Sequence, residues 1–223
     1  MSKYRHEIKF LINENQANIL KDRLSMIMTA DDNGKYGYFI RSLYYDTPTN
    51  KAYYEKLDGV EYRRKYRIRM YNKDDNYIRL EKKIKDNDMT AKEQIRISKE
   101  ECLKIMHNEL SFYDMEDNLL KEFLIDIKTK NLVPSVIVDY DRYALTYPIS
   151  DVRVTFDYNI KSGIYNYNLF DFDNTNYNIL EDGMIVLEVK FNDFLPEVIG
   201  IILRTIPSIR NAFSKFAMCR MVK

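Results

Sequence analysis

Positively charged side chains alternate with apolar ones through residues 61–98 of the chain. The alternating cations of its three segments are Lys65, Arg67 and Arg69, then Arg79, Lys83 and Lys85, and finally Lys92 and Arg96. Because successive side chains of a strand point to opposite faces, each segment predicts a strand with one cationic and one apolar face. Guanidinium and ammonium groups at this density match the oxygens of an anion with several charges, such as linked phosphates.

The same alternation recurs along the rest of the chain. Strands with a charged face are predicted near Lys9, Arg41, Arg67, Lys83, Arg96, Arg142, Arg153 and Lys190. Short polar links at 72–76 and 86–88 favour antiparallel hairpins between the three strands of residues 61–98. An exposed sheet would explain any one of these strands, but it does not explain their repetition with so little charge pairing.

Composition limits what the chain as a whole can be. It has 223 residues with a mass of 26.8 kDa and 45% hydrophobic residues, which fits a single domain over 1–223. The 35 Lys and Arg residues nearly balance the 34 Asp and Glu residues, so a basic surface for nucleic acid is not indicated. The sequence therefore predicts local rather than overall positive charge.

The location is expected to be cytoplasmic. Only Cys102 and Cys219 occur, far apart, so no disulfide framework is implied. The first residues lack the apolar core of a signal peptide, and no apolar run approaches the roughly 18 residues of a membrane span.

Helices and strands follow from capping and hydrophobic spacing. Asn13 with Gln16, and Ser98 with Glu101, are capping boxes that predict helix starts. The predicted helices are 14–28, a short helix or turn at 49–57, then 98–107, 116–130, 195–204 and 209–221. The predicted strands outside residues 61–98 are 4–12, 38–46, 135–147, 151–160 and 184–192. Residues 161–180 are predicted to be an irregular connection.

Amphipathic helices need an apolar surface to cover, and the apolar strand faces can supply it. We therefore expect an α+β fold, with a closed eight-stranded antiparallel β-barrel and helices packed outside it. The cationic faces would then line the interior, where unpaired cations repel one another unless a polyanion neutralises them. Glu7, Glu81 and Glu188 would share that interior, and carboxylates beside phosphates suit Mg²⁺ or Mn²⁺.

Seven short segments carry a more specific resemblance. In chain order they are residues 4–10, 41–48, 65–71, 80–85, 140–144, 187–190 and 213–216, reading YRHEIKF, RSLYYDTP, KYRIRMY, LEKKIK, YDRYA, LEVK and FSKF. Together they resemble the VTC domain, the polyphosphate polymerase module of the triphosphate tunnel metalloenzyme (CYTH-like) superfamily. The resemblance extends over nearly the whole chain.

The resemblance implies a metal-dependent phosphotransferase that moves the γ-phosphate of ATP onto a growing polyphosphate chain. Its catalytic residues would be Lys9, Arg67, Arg69, Lys83 and Glu188. Its substrate-binding residues would be Lys65, Arg79, Lys92, Arg96, Arg142, Arg153, Lys190, Ser214 and Lys215. The divalent metal would bind Glu188 and Glu7. Two departures stand out. As in VTC-like members, an arginine, Arg5, occupies a position where the first strand of the superfamily often has a glutamate, and Ala212 occupies a position where some VTC domains have a lysine. The absence of that lysine is expected to affect one phosphate contact and the handling of chain length.

Two other functions are compatible with the same cationic residues. A hydrolase of the same architecture would cleave inorganic or nucleoside triphosphates with water as acceptor, and a non-catalytic barrel would only bind polyanions. The expected partners are ATP, triphosphate and polyphosphate, with no nucleic acid and no membrane, and any regulatory or membrane component would be a separate protein. The sequence contains no Walker A motif.

Several charged residues have a structural interpretation beside the functional one. Arg5 can pair with a neighbouring acid, and Glu81 is favoured as an internal partner of the cations rather than as a metal ligand. His6 falls on the apolar face and is expected to be a core residue. Because His6 and His107 are the chain's two histidines, a zinc site is improbable. Asp46 is expected to serve the turn that follows it. Lys82 and Arg64 also fall on the apolar face and are expected at the rim rather than as ligands.

Overall fold

The computed structural model of the chain describes residues 4–31, 36–109, 116–173, 176–207, 209–210 and 213–221. The strands are β1 (Arg5–Asn13), β2 (Thr29–Ala30), β3 (Tyr38–Asp46), β4 (Tyr62–Tyr71), β5 (Asp74–Asp86), β6 (Met89–Ile97), β7 (Val133–Tyr147), β8 (Val152–Gly163), β9 (Tyr177–Asn178), β10 (Met184–Phe191) and β11 (Ile209–Arg210). The helices are α1 (Glu14–Ser25), α2 (Lys51–Leu57), α3 (Lys99–Met106), α4 (Asn118–Lys130), α5 (Glu197–Leu203) and α6 (Lys215–Met221), with a 3-10 turn at Ile149–Asp151.

Eight antiparallel strands form a closed ring. Its order is β7, β3, β4, β5, β6, β1, β10 and β8, and β8 pairs back with β7. The eight strands are the ones whose charged faces the sequence predicts, so the predicted eight-stranded architecture is confirmed. The short strands β2, β9 and β11 add to β7, β8 and β1 outside this order.

The cations of β4 and β5 pair beyond an irregular hairpin end. Asn72 and Lys73 both have positive φ, as the two central residues of a hairpin turn of type I′ require. An irregularity between Met70 and Tyr71 then shifts the pairing, and beyond it Arg69 lies opposite Arg79, Arg67 opposite Glu81 and Lys65 opposite Lys83. Cations of neighbouring strands therefore stand side by side on one face of the sheet.

Helices cover the outward, apolar face of the ring. Helices α3 and α4 pack on β4 to β6, where Phe123 is fully buried between the rings of Tyr45 and Tyr66, with centroids 5.0 and 4.9 Å away. Helices α1 and α5 cover β1, β8 and β10 in the same way. Each large side chain buried here contributes about 1.5–3 kcal/mol, which ties closure of the ring to the helices.

Both predicted capping boxes are present. The side chain of Asn13 accepts from the backbone N–H of Gln16 at the start of α1, and Ser98 does the same with Glu101 at the start of α3. The carboxylate of Asp46 accepts from the backbone N–H groups of Thr47, Ala52 and Tyr53. It thereby ties the end of β3 to α2, which is the structural role that the sequence favours for it.

Helix α6 lies across the interior of the ring at one end. The ring of Phe216 contacts that of Tyr44, with centroids 5.1 Å apart, and Phe216 and Cys219 pack with Val138 and Ile160. The sequence predicts a helix over 209–221, but α6 begins only at Lys215. Residues 209–210 instead pair with Phe10 and Leu11 of β1, because a free sheet edge there competes with the helix for their backbone groups.

Arg41 is an exception to the predicted charged faces. It lies on the outward face of β3, where it makes two hydrogen bonds to the carboxylate of Asp139 and its guanidinium lies 4.3 Å from the ring centre of Phe172. The inward residues of this strand are Tyr38, Ser42 and Tyr44. The prediction that Arg41 marks an interior charged face is therefore wrong, and Asp139 is what allows a guanidinium to be buried outside the ring.

None of the helices that the structure describes is both long and apolar enough to cross a membrane.

Candidate active site

The ring encloses a cavity of about 350 Å³. Among the described residues, twelve cations and two carboxylates line it. Every residue that the sequence predicts for the site lines this cavity except Arg96, which lies beyond it at the exposed end of β6. The tertiary structure therefore brings together side chains from seven of the eight ring strands and from the start of α6.

Glu7 and Glu188 form a first centre on neighbouring strands. Both contact the ammonium group of Lys9, at 2.9 Å from Glu7 and 3.6 Å from Glu188. The ammonium group of Lys83 lies 2.7 Å from Glu7, and Lys190 pairs with Glu188. Burial alone would raise the pKa of either carboxyl, but the lysines outweigh it and hold both pKa values below the ordinary range.

A divalent metal fits this centre. Among the described residues no group of three or more His, Cys, Asp or Glu side chains is arranged to hold a metal. Mg²⁺ and similar ions, however, keep several waters and bind through one or two carboxylates plus substrate phosphates. Glu7 and Glu188 are deprotonated, hard oxygen donors on one cavity wall, so they are the residues that would hold such an ion.

Glu81 forms a second centre with the neighbouring guanidinium groups. Its carboxylate is fully buried, 2.6 Å from Nε and 2.5 Å from Nη2 of Arg67, and 3.5 Å from Arg69. Burial would raise the pKa of Glu81, but the two guanidiniums and Lys92 lower it instead. Glu81 thus acts as an internal partner of cations, the role favoured from the sequence.

Hydroxyl groups complete the positioning of these two arginines. Arg67 donates to the Oη of Tyr44 at 2.8 Å, and Arg69 donates to Ser42 at 3.0 Å and to Tyr140 at 3.1 Å. Both guanidiniums are therefore oriented before any ligand binds. Sequence reasoning did not include these hydroxyl residues, although strand alternation on β3 would have placed Ser42 and Tyr44 on one face.

Asp157 forms a third centre that sequence reasoning missed. It is fully buried and accepts from Arg142 at 2.6 and 2.8 Å and from Lys215 at 2.5 Å. Burial would raise the pKa of Asp157, but Arg142 and Lys215 lower it. Alternation from Arg153 through Thr155 predicts that Asp157 faces inward, and this was the available signal.

Lys65 is a buried cation of a different kind. Its ammonium group lies over the rings of Tyr44 and Phe216, at 5.3 and 4.8 Å from their centres. No ion pair to Lys65 is found within the described part of the chain. Burial and then the charges of Lys83 and Lys9 lower its pKa well below the ordinary value. An anion bound here would restore its charged form.

A second cavity of about 300 Å³ adjoins the first. The lining residues that the two share include Glu7, Lys9, Lys65, Lys83 and Ser214. The charged residues that the second adds are Lys56, Arg63, Arg64, Lys85 and Asp88. Burial lowers the pKa of Lys56 and of Lys85, and the charges of Arg63 and Lys9 lower both further. The cationic lining therefore continues from one cavity into the next.

The remaining charged residues have mainly structural partners. Arg5 lines the cavity but also pairs with Asp151 at 3.4 Å. Lys82 pairs with Glu93 and Glu122, and Arg64 pairs with Glu122. Both cations thus belong to an ion-pair network beneath α4, and Arg64 also lines the second cavity.

Two further expectations concern single positions. The ring of His6 stacks on that of Phe191, with centroids 5.0 Å apart, which supports a packing role for this histidine. Ala212, where a missing lysine is expected to affect a phosphate contact and the handling of chain length, lies outside the described residues.

The chain resembles known proteins over nearly its whole length. A family model described as the VTC domain matches residues 4–222. A candidate adenylate cyclase from Bacillus halodurans is 13% identical with a TM-score of 0.53, over 92% of this chain and 88% of that chain. A candidate adenylate cyclase from Vibrio parahaemolyticus is 10% identical with a TM-score of 0.48, over 92% of this chain and 85% of that chain. None of the curated proteins matches the chain. At such identity the Bacillus structure shows a shared fold alone.

The buried Glu81 centre predicts a ligand-dependent stability defect. Glu81→Gln leaves Arg67 and Arg69 without their carboxylate, and we expect a loss of about 3 kcal/mol in the free energy of unfolding. Tripolyphosphate should restore more stability to this variant than to the wild type, because the anion takes over the charge compensation. Chemical denaturation with and without tripolyphosphate measures both effects.

Glu93→Gln is the matched control, because it removes a half-exposed carboxylate outside the ring. It should lower the free energy of unfolding by less than about 1 kcal/mol. Equal losses in the two variants would contradict this role of Glu81.

Lys92 predicts a pH dependence of anion binding. Burial, together with Arg67 and Arg69, lowers the pKa of Lys92 to about 8 despite Glu81. Lys92 is therefore charged below pH 8 and loses its proton as the pH rises above 8. The affinity for tripolyphosphate should fall over that range by about tenfold, which is the contribution of one charge-assisted contact. Titration calorimetry from pH 7 to 9.5 measures the slope. Lys92→Arg stays charged and should flatten it, while the ligand's own titration is common to both proteins. Identical slopes would show that Lys92 does not contact the anion.

Proposed function

The chain belongs to the VTC domain family, and from that premise we propose that it is a polyphosphate polymerase. It would transfer the γ-phosphate of ATP to a growing polyphosphate chain inside the cationic ring. The enzyme class that follows is a metal-dependent phosphotransferase.

The observation that carries this proposal is the surplus of positive charge in the cavity. Twelve cations line it in the described part of the chain, against the carboxylates of Glu7 and Glu188. Glu81 and Asp157 add negative charge from buried positions, but they do not balance the rest. Desolvated cations at this density are costly, and a ligand with many negative charges in a row removes that cost. Linked phosphates have this form.

The arginines would bind the nucleotide's triphosphate. Arg67 and Arg69 are already oriented by Glu81, Tyr44, Ser42 and Tyr140. The entropy cost of ordering these two side chains is therefore met when the protein folds. More of their interaction energy with the phosphates then contributes to binding affinity.

Transfer itself requires positioning and charge compensation more than bond-making by the protein. An oxygen of the acceptor's terminal phosphate attacks the γ-phosphorus of ATP, the bond from that phosphorus to the β–γ bridging oxygen breaks, and ADP leaves with the electron pair. Lys9 and Lys83 would compensate the charge on the oxygens around the transferred group. Lys215 would hold phosphate oxygens at the side of the cavity formed by α6. A divalent ion held by Glu188 and Glu7 would neutralise further charge on the phosphates.

The second cavity supports a polymerase over a hydrolase. Its cations, Lys56, Arg63 and Lys85, continue from the residues that both cavities share. A hydrolase needs only water as acceptor and has no use for a second cationic cavity. An anionic acceptor chain would occupy it, with its end beside Lys9 and Lys83.

Incubation of the purified protein with ATP and Mn²⁺ tests the proposed function. Polyphosphate with ADP is the expected product pair. Release of phosphate alone would identify a hydrolase, and unchanged ATP together with tight tripolyphosphate binding would identify a polyanion-binding protein.

A single substitution tests the metal centre. We expect Glu188→Gln to lower the rate of ATP turnover at least about 100-fold, because the substituted side chain no longer offers a charged oxygen to the metal. Binding of tripolyphosphate should largely survive, since the lysines remain and lose a competing carboxylate. Turnover under saturating Mn²⁺ and calorimetric binding are the two measurements. Glu93→Gln, outside the ring, should behave as wild type; full metal-dependent turnover in Glu188→Gln would refute the assignment.

A further inference from the structure

Aromatic rings line the cavity where β3, β4 and β5 lie side by side. Tyr38, Tyr71 and Tyr77 follow one another on adjacent strands, with centroids 6.1 Å apart for the first pair and 5.8 Å for the second. All three line the cavity, and Tyr71 and Tyr77 are only half-buried. Aromatic surface in a cavity that is otherwise cationic is not needed to bind phosphate.

Guanidinium groups lie against the same rings. The guanidinium carbon of Arg79 is 4.6 Å from the ring centre of Tyr77, and that of Arg96 is 5.6 Å away. Arg79 also lies 6.0 Å from the ring centre of Tyr71. Tyr71, Tyr77, Arg79 and Arg96 are here named the tyrosine–arginine platform. Both tyrosine rings and guanidinium planes stack on nucleobases.

Strand register fixes the distance from this platform to the phosphate-binding residues. Arg69, Arg79 and Arg96 are mutually opposite on β4, β5 and β6, and Lys65, Lys83 and Lys92 are opposite one another four residues further along each strand. At about 3.3 Å per residue, the two rows are about 13 Å apart. An extended nucleoside triphosphate spans a distance of this order from its base to its last phosphate.

We propose that the tyrosine–arginine platform binds the nucleobase of the substrate, while the triphosphate runs inward towards Lys83 and Lys9. This inference rests on the proposed function, because it names the part of the site that selects a nucleotide donor. It also assigns the two ends of the ring, since the donor's base lies at β5 and β6 and the acceptor lies in the second cavity. Stacking depends on a flat π surface rather than on base-edge hydrogen bonds, so purine nucleotides bind more tightly than pyrimidine nucleotides, with little preference between adenine and guanine.

The size of the platform suits a single base. Two tyrosine rings and two guanidiniums offer room for one nucleobase, whereas binding of a nucleic-acid strand requires several successive stacking positions and a groove that follows the backbone. The ligand class is therefore a mononucleotide.

The binding affinities of two ligands, measured by titration calorimetry, test the platform independently of turnover. The ligands are adenosine 5′-(β,γ-imido)triphosphate, which carries a base, and tripolyphosphate, which does not. In Tyr77→Ala we expect affinity for the nucleotide to fall by about tenfold, as aromatic-to-alanine changes do at stacking sites, while affinity for tripolyphosphate is unchanged. Retained tripolyphosphate binding also shows that the variant is folded.

Two further variants serve as controls. Tyr77→Phe keeps the ring and should retain wild-type affinity for both ligands. Tyr177→Ala removes a tyrosine that is 57% exposed on β9, outside the ring, and should change neither affinity.

The outcomes separate the platform from the polymerase activity. Selective loss of nucleotide affinity in Tyr77→Ala supports the platform, whether or not the wild type makes polyphosphate from ATP. If the wild type makes none, only the proposed polymerase function fails. Equal loss for both ligands, or no loss for either, overturns the platform whether or not polyphosphate is made.

Discussion

Concentrating positive charge inside a closed ring of strands is the constraint on which the rest of this structure depends. Ammonium and guanidinium groups that are buried side by side repel one another and lose hydration. The protein meets part of that cost with carboxylates at a few points, Glu7 and Glu188 on β1 and β10, Glu81 on β5 and Asp157 on β8. Lys65 lies over the rings of Tyr44 and Phe216 and near other cations, and burial lowers its pKa well below the ordinary value. The remaining surplus of charge makes the interior a binding site for polyanions.

The outside of the molecule follows from the same constraint. Because strand side chains alternate, every inward cation leaves apolar neighbours facing outward. Those faces cannot remain in water, and the amphipathic helices α1, α3, α4 and α5 cover them. Where a charge does point outward and becomes buried, as with Arg41, it has a carboxylate of its own in Asp139. The hydrophobic core and the charged interior are thus two faces of the same strands, and one cannot be built without the other.

Much of the candidate site could be predicted from the sequence, and its errors have identifiable causes. Alternation through residues 61–98 correctly separated inward from outward side chains, because residues 62–70 of β4 and 89–97 of β6 pair with β5 in a regular register. The same reasoning failed for Arg41, since one cation on a strand does not reveal which face is inward. Asp157 was missed because its partners Arg142 and Lys215 come from other elements, so no local pattern marks it as their counter-ion. The start of α6 was misplaced because pairing of residues 209–210 with β1 is a long-range event.

The sequence by itself determined the periodicity of the strands, the capped helix starts, the excess of cations on one face and the resemblance to the VTC domain family. Each of these depends on neighbouring residues, and local spacing decides them. Only the tertiary structure decided which charges meet. Glu7 contacts Lys83, and Asp157 contacts Lys215, because ring closure and the seating of α6 join residues far apart in sequence. Contacts at such separation depend on how whole strands are ordered around the ring, and no local pattern specifies that order.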